Sequence, residues 1–167
     1  MNETVYSKID EELNIPSSHR FFPIPETRAA YTETLRNLGG PDICFGGIGI
    51  NGHVAFNEAD PSLTAQEMAE KETRTLKIST ETVTANAIGD LGGAIEDMPR
   101  YASTVGMKEI LSAKKIVLGV FRPWHRAVVR RASCGEVSAA FPVTLLQNHP
   151  DAMIFVNDVA SAKAVEQ

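Results

Sequence analysis

Asp42-Ile43-Cys44-Phe45-Gly46-Gly47-Ile48-Gly49-Ile50-Asn51-Gly52-His53-Val54-Ala55-Phe56-Asn57-Glu58 is the stretch whose reading decides the fold. Its first part, Asp42 to Ile48, lies between Pro41 and a glycine cluster, and its apolar residues run continuously instead of alternating. A short strand buried on both faces has that pattern, whereas a half-exposed strand alternates. Glycine then recurs at 46, 47, 49 and 52. Such a loop lets the backbone turn sharply and approach a ligand closely, at a cost in conformational entropy that packing does not repay. Loops at the C-terminal ends of strands are where open α/β sheets place their ligands.

Working outward, Tyr31, Leu35 and Leu38 share one face of a helix predicted from Glu26 to Leu38, stopped by Gly39-Gly40. Downstream, Thr73 to Ile78 reads as a strand, and Ser79 or Thr80 as the cap of a helix that begins near Glu81 and fades at Gly89. A helix over Val105 to Leu111, a buried strand over Lys115 to Phe121, a helix from Pro123 to Ala132 and a last strand over Met153 to Val156 complete the order. Glu67 to Glu72 is a charged patch of the kind that forms a solvated loop or helix. Alternating helices and apolar strands predict an α/β, Rossmann-like fold: a mostly parallel sheet with helices on both faces. Neither a repeat nor a linker divides the chain, so residues 1–167 are expected to form one domain.

The balance of 21 acidic against 16 basic residues, net charge -5, argues against a nucleic-acid or anionic-membrane binder and favours small-molecule partners. The longest apolar runs, near 43–50 and 116–121, fall far short of the roughly 20 residues a membrane span requires. The first residues carry no basic segment leading into an apolar run, so they do not read as a signal peptide. Cys44 and Cys134 have no metal-type spacing and read as reduced thiols. A cytoplasmic protein is the expectation.

His53 and Glu58 are the residues in the loop able to do acid–base chemistry, five positions apart, close enough for the carboxylate to fix the imidazole's tautomer and raise its basicity. A histidine beside a glycine loop also serves as a satisfied structural residue, and spacing alone does not choose between the two. Gly47-Ile48-Gly49-Ile50-Asn51-Gly52 matches the dinucleotide fingerprint G-x-G-x-x-G. That fingerprint needs a long helix opening at its third glycine, however, and Asn57, Asp60 and Pro61 interrupt here.

The run from Gly46 to Glu58 closely resembles the signature of the glucosamine-6-phosphate deaminase/isomerase family. Ala85-Asn86, Pro99-Arg100-Tyr101-Ala102, Thr104-Val105-Gly106, Ile116 to Gly119 and His149-Pro150-Asp151-Ala152 resemble further family landmarks, in family order. The related 6-phosphogluconolactonases share a similar glycine–histidine loop but continue differently, so Phe56-Asn57-Glu58 points to the amino-sugar branch. The resemblance implies a phosphorylated sugar substrate and a reaction needing no metal or redox cofactor. Glucosamine 6-phosphate would be ring-opened, its proton moved from C2 to C1 through an enolamine, and the imine hydrolysed to fructose 6-phosphate and ammonia. His53 would be the acid–base group opening the ring, with Glu58 and Asn51 holding and tuning it. Gly47, Gly49 and Gly52 would lie against substrate. Family members often carry aspartate where Asn51 stands, and an amide cannot offset an imidazolium charge, so His53 should be a weaker base than with aspartate behind it.

The family's phosphate-binding arginine is replaced by Ile88, and its phosphate-binding lysine falls in the basic cluster of Arg122, His125, Arg126, Arg130 and Arg131. Arg122 and Arg126 are the candidate phosphate ligands, together with the amide groups of the helix that starts near Pro123; a solvated basic helix face has the same pattern. By the resemblance, the family's enolising aspartate and phosphate loop fall upstream of Met1. The chain is therefore expected to match the C-terminal two thirds of the family only, with the N-terminal part of the fold missing. A non-catalytic sugar-phosphate binder, or a related isomerase or lactonase, is the alternative function. Apolar sheet edge and face left uncovered would make the chain a homo-oligomer.

Overall fold

A computed structural model describes residues 1–163. Short 3-10 turns at Tyr6–Lys8, Glu11–Leu13 and Ser17–His19 precede helix α1, Arg28–Asn37, which ends on two glycines with positive φ, Gly39 at 84° and Gly40 at 90°. Strand β1, Ile43–Gly46, leads into the glycine loop. Helix α2, Ala65–Ala69, is set by a capping box in which Thr64 and Glu67 each satisfy the other's free backbone amide. Strand β2, Arg74–Lys77, is followed by α3, Thr80–Asp90, whose N-cap Ser79 accepts a hydrogen bond from Thr82 N–H. Then come β3, Tyr101–Thr104; α4, Met107–Leu111; β4, Lys115–Val120; α5, His125–Cys134; a long 3-10 segment, Pro142–Asn148; β5, Ala152–Val156; and α6, Asp158–Ser161.

Strands β1, β4 and β5 form a parallel sheet in the order β1-β4-β5, with Cys44 opposite Ile116 and Leu118 opposite Ile154. Central β4 supplies the core: Ile116 and Leu118 are fully buried and Val120 nearly so, packed with Ile48, Met107 and Val128. The alternation of β4, with every second side chain only half-buried, shows that the two faces are not equally covered. Face one meets α5 and the 3-10 segment through Leu118, Ile154, Val129 and Leu146. On the other, Ile43, Phe45 and Phe155 remain 50%, 75% and 55% exposed.

The expectation of one mostly parallel sheet with helices on both faces is thus corrected. Strands β2 and β3 stand apart as an antiparallel pair, Arg74 opposite Thr104 and Lys77 opposite Tyr101, so the sheet structure is mixed. The physical reason lies in β3, a four-residue polar strand that carries no apolar run and returns against β2 instead of crossing over to the parallel sheet. This ribbon positions the loop. Thr104 Oγ1 accepts from Phe56 N–H at 2.9 Å, and the wholly buried Asn57 donates to the Val54 and Val105 carbonyls at 3.0 and 2.8 Å. Arg74 in turn donates to Asn57 Oδ1 at 2.8 Å, so the amide makes all the bonds its buried position requires.

Candidate functional site

Beyond β1 the chain makes a tight turn in which Gly49 N–H donates to the His53 carbonyl and Gly52 N–H to the Gly49 carbonyl, both at 2.9 Å. The turn lays the His53 ring directly on the Gly49 backbone: a Cβ at 49 would fall 1.9 Å from the imidazole. Gly52 has φ 78°, and a Cβ there would strike the Phe141 ring at 2.5 Å. These two glycines are therefore demanded by geometry. At Gly47 a Cβ would make only an ordinary contact, 3.4 Å from the Gly119 carbonyl, so packing gives no reason for glycine there.

The structure brings Asn51, His53 and Glu58 together. Asn51 Nδ2 donates to Glu58 Oε2 at 2.7 Å and to Ser79 Oγ at 3.2 Å, which fixes the orientation of the amide. Its Oδ1 then faces His53 Nδ1 at 2.7 Å. An amide oxygen only accepts, so Nδ1 carries the proton and Nε2 of the neutral ring keeps its lone pair. His53 Nδ1 lies 3.6 Å from Glu58 Oε2. Burial pushes the His53 pKa down and the Glu58 charge opposes that; burial prevails, so the resting ring is neutral and this contact is not an ion pair. Phe56 stacks on the imidazole, with centroids 5.8 Å apart and 17° between planes.

Two residues that reading the sequence for chemistry passed over complete the cluster. Thr82 Oγ1 lies 3.0 Å from Glu58 Oε2 and 3.2 Å from His53 Nδ1, and Ser79 N–H reaches Glu58 Oε1 at 3.3 Å. Both sit at the start of α3, where the helix end favours a carboxylate. The signal was present in the cap assigned to Ser79, but nothing in the spacing ties a cap to a loop more than twenty residues earlier.

The basic cluster is not brought to the imidazole as a group. Arg122 lies over the other end of α3, pairing with Asp90 at 2.5 Å, and a Cβ at Gly89 would meet its guanidinium. Arg126 Nε donates to the Val159 carbonyl at 2.8 Å. His125 is buried: its Nδ1 accepts from Arg122 N–H at 2.9 Å and its Nε2 donates to the Ile48 carbonyl at 3.0 Å, tying α5 to the glycine loop. Burial, more than the nearby Arg122 charge, lowers its pKa, while the bond to Ile48 works the other way. Among the described residues no group of three or more His, Cys, Asp or Glu is placed to hold a metal ion.

A buried histidine with one nitrogen tied to an amide, in a glycine loop at the C-terminal end of a parallel strand, stands where α/β proteins of the open-sheet class place their ligands. Within that class, the chain is similar to the glucosamine-6-phosphate deaminases along most of its length. It is 33% identical to the glucosamine-6-phosphate deaminase of Staphylococcus haemolyticus over 148 residues, 89% of this chain and 57% of that protein. It is 33% identical to that of Hahella chejuensis over 166 residues, 98% of this chain and 60% of that protein. The solved structure of a monomeric glucosamine-6-phosphate deaminase superposes with a TM-score of 0.76 at 29% identity, covering 87% of this chain and 60% of that one. No family model matches the chain. The chain spans about 57–60% of the length of these relatives.

These alignments correct the expectation of a likeness to the family's C-terminal two thirds only, with the N-terminal part of the fold missing. With 98% of the chain aligned, all but a few residues, the 3-10 turns before α1 included, lie within the aligned region, and 87% of the chain superposes.

His53 and His125 make stability depend on pH. Each has a lowered pKa in the folded protein, so between that value and the unfolded value near 6.5 the unfolded chain binds more protons, and stability rises with pH. Their contribution is fully present above pH 6.5 and is lost as pH falls toward the folded values. We expect the urea midpoint to fall from pH 7 to pH 5, and to fall less in His125→Gln; a flat midpoint over that interval would contradict the assignment of both rings as neutral.

Proposed function

We propose that the protein is an amino-sugar-phosphate deaminase/isomerase converting glucosamine 6-phosphate to fructose 6-phosphate and ammonia. The observation that carries this reading is a neutral His53 whose Nδ1–H is held by Asn51 and whose Nε2 makes no hydrogen bond among the described residues. In ring opening, Nε2 takes the proton of the anomeric hydroxyl and the imidazolium returns it to the ring oxygen as the C1–O5 bond breaks. Glu58, 3.6 Å away, offsets the transient positive charge. The open chain then isomerises through an enolamine with a proton moving from C2 to C1, and water hydrolyses the imine. Gly47, Gly49 and Gly52 give the sugar backbone to lie against. Arg122 takes the phosphate: Thr82 and Gly89 are seven residues apart on α3, about 10 Å along the helix, which suits a hexose phosphate laid beside it.

The direct test is ammonia release from glucosamine 6-phosphate. We expect His53→Ala to lower kcat by about 100-fold or more, in the range of a lost acid–base group, and Arg122→Gln to raise KM with kcat little changed. An unaltered rate in His53→Ala would sink the mechanism; tight substrate binding with no ammonia released would make the protein a binder instead.

We further propose a homo-oligomer located in the cytoplasm. The exposed Ile43, Phe45 and Phe155 on one sheet face support self-association, and the free thiols of Cys44 and Cys134 suit a reducing compartment. No helix among the described residues is long and apolar enough to cross a membrane. Light scattering should give at least twice the chain mass, dropping in Phe45→Ser; a monomer at tens of micromolar would count against self-association.

A further inference from the structure

The hydrogen atoms around His53 can be assigned one by one, and they leave Thr82 in an unusual place. Asn51 Nδ2 donates to Ser79 Oγ at 3.2 Å, as does Thr82 N–H. With its acceptor positions taken, the Ser79 hydroxyl donates to Thr82 Oγ1 at 3.0 Å. Thr82 Oγ1 thereby accepts from Ser79, and its own hydrogen goes to Glu58 Oε2 at 3.0 Å. Its remaining lone pair faces His53 Nδ1–H at 3.2 Å, a weaker partner than Asn51 Oδ1 at 2.7 Å. Thr82 is 1% exposed, so water does not substitute for any of these bonds.

We propose that Thr82 is a positioning residue that holds the Glu58 carboxylate back from the imidazole, so that His53 rests as a free base and not as half of an ion pair. The inference deepens the proposed acid–base role of His53 and rests on it. Oε2 has three claimants: the Asn51 amide at 2.7 Å, the Thr82 hydroxyl at 3.0 Å and the imidazole Nδ1 at 3.6 Å. The first two spread its charge and set its position. Glu58 is the one charge acting on the imidazole among the described residues, since Asn51, Phe56, Ser79 and Thr82 around it are neutral. Once the hydroxyl is removed, the carboxylate can close on Nδ1 and pair with the protonated ring, which favours the imidazolium. The free-base fraction near neutral pH then falls, and with it the capacity to take a proton from substrate.

The test is a proton NMR titration of His53, identified by the resonance lost in His53→Ala, across wild type, Thr82→Val, Thr82→Ser and Thr82→Val combined with Glu58→Gln. We expect the midpoint to rise by about one unit in Thr82→Val, to return close to wild type in Thr82→Ser, and not to rise in the double variant, because the effect runs through the carboxylate. A midpoint unmoved in Thr82→Val, an equal rise in Thr82→Ser, or a rise that persists without Glu58 would each overturn the inference. Thr82→Ser keeps the hydroxyl and so separates the proposal from mere loss of packing. As the titration reads the ring and not turnover, a protein that released no ammonia would defeat the proposed function while leaving this result to stand or fall alone.

Discussion

Everything at the site depends on the orientation of one side-chain amide. Asn51 turns its NH2 toward Glu58 and Ser79, and its oxygen is thereby committed to His53. Aspartate at this position would set two carboxylate oxygens 2.7 Å apart, an arrangement that requires a shared proton. The amide avoids this, and it fixes which ring nitrogen is protonated without adding charge. The cost is a less basic imidazole, consistent with burial dominating the balance at His53.

The supports of that arrangement come from separated parts of the chain. The imidazole needs the missing side chain of Gly49, the turn needs the positive φ of Gly52, and Glu58 needs the first turn of α3. Asn57 and Thr104 fasten the loop to the antiparallel ribbon, while His125 ties it to α5. A buried polar cluster in which every group but His53 Nε2 has a partner is rigid because any shift breaks several bonds at once. Rigidity of this kind suits the acid–base role proposed for His53.

Much of this was legible in the sequence where local patterns carry the information. The continuous apolar run before Gly46 gave β1, the apolar stretch 115–121 gave β4, and both were found within a residue or two of expectation. The loop's Asn51, His53 and Glu58 were legible because they are close in sequence. Strand β3 was not, since Tyr101-Ala102-Ser103-Thr104 is short and mostly polar and is a strand only by pairing with β2. The 3-10 segment Pro142–Asn148 was likewise missed, its residues being buried by tertiary contact without helical spacing. Thr82 escaped for a related reason: its contact with Glu58 arises when α3 is brought to a loop 24 residues earlier, and a threonine in the first turn of a helix has no distinguishing pattern. Arg122 was singled out by its place in a basic cluster, but its pairing with Asp90, 32 residues earlier, leaves no pattern in the sequence.

The account's central claim is the protonation state that Asn51 imposes on His53. Nitrogen-15 NMR of the ring at pH 8, where the imidazole is neutral, reads this directly, because protonated and unprotonated ring nitrogens resonate far apart. The account predicts a His53 with hydrogen on Nδ1 and a bare Nε2. A ring protonated on Nε2 would place the lone pair against the Asn51 oxygen, remove the base proposed at Nε2, and contradict the site as described.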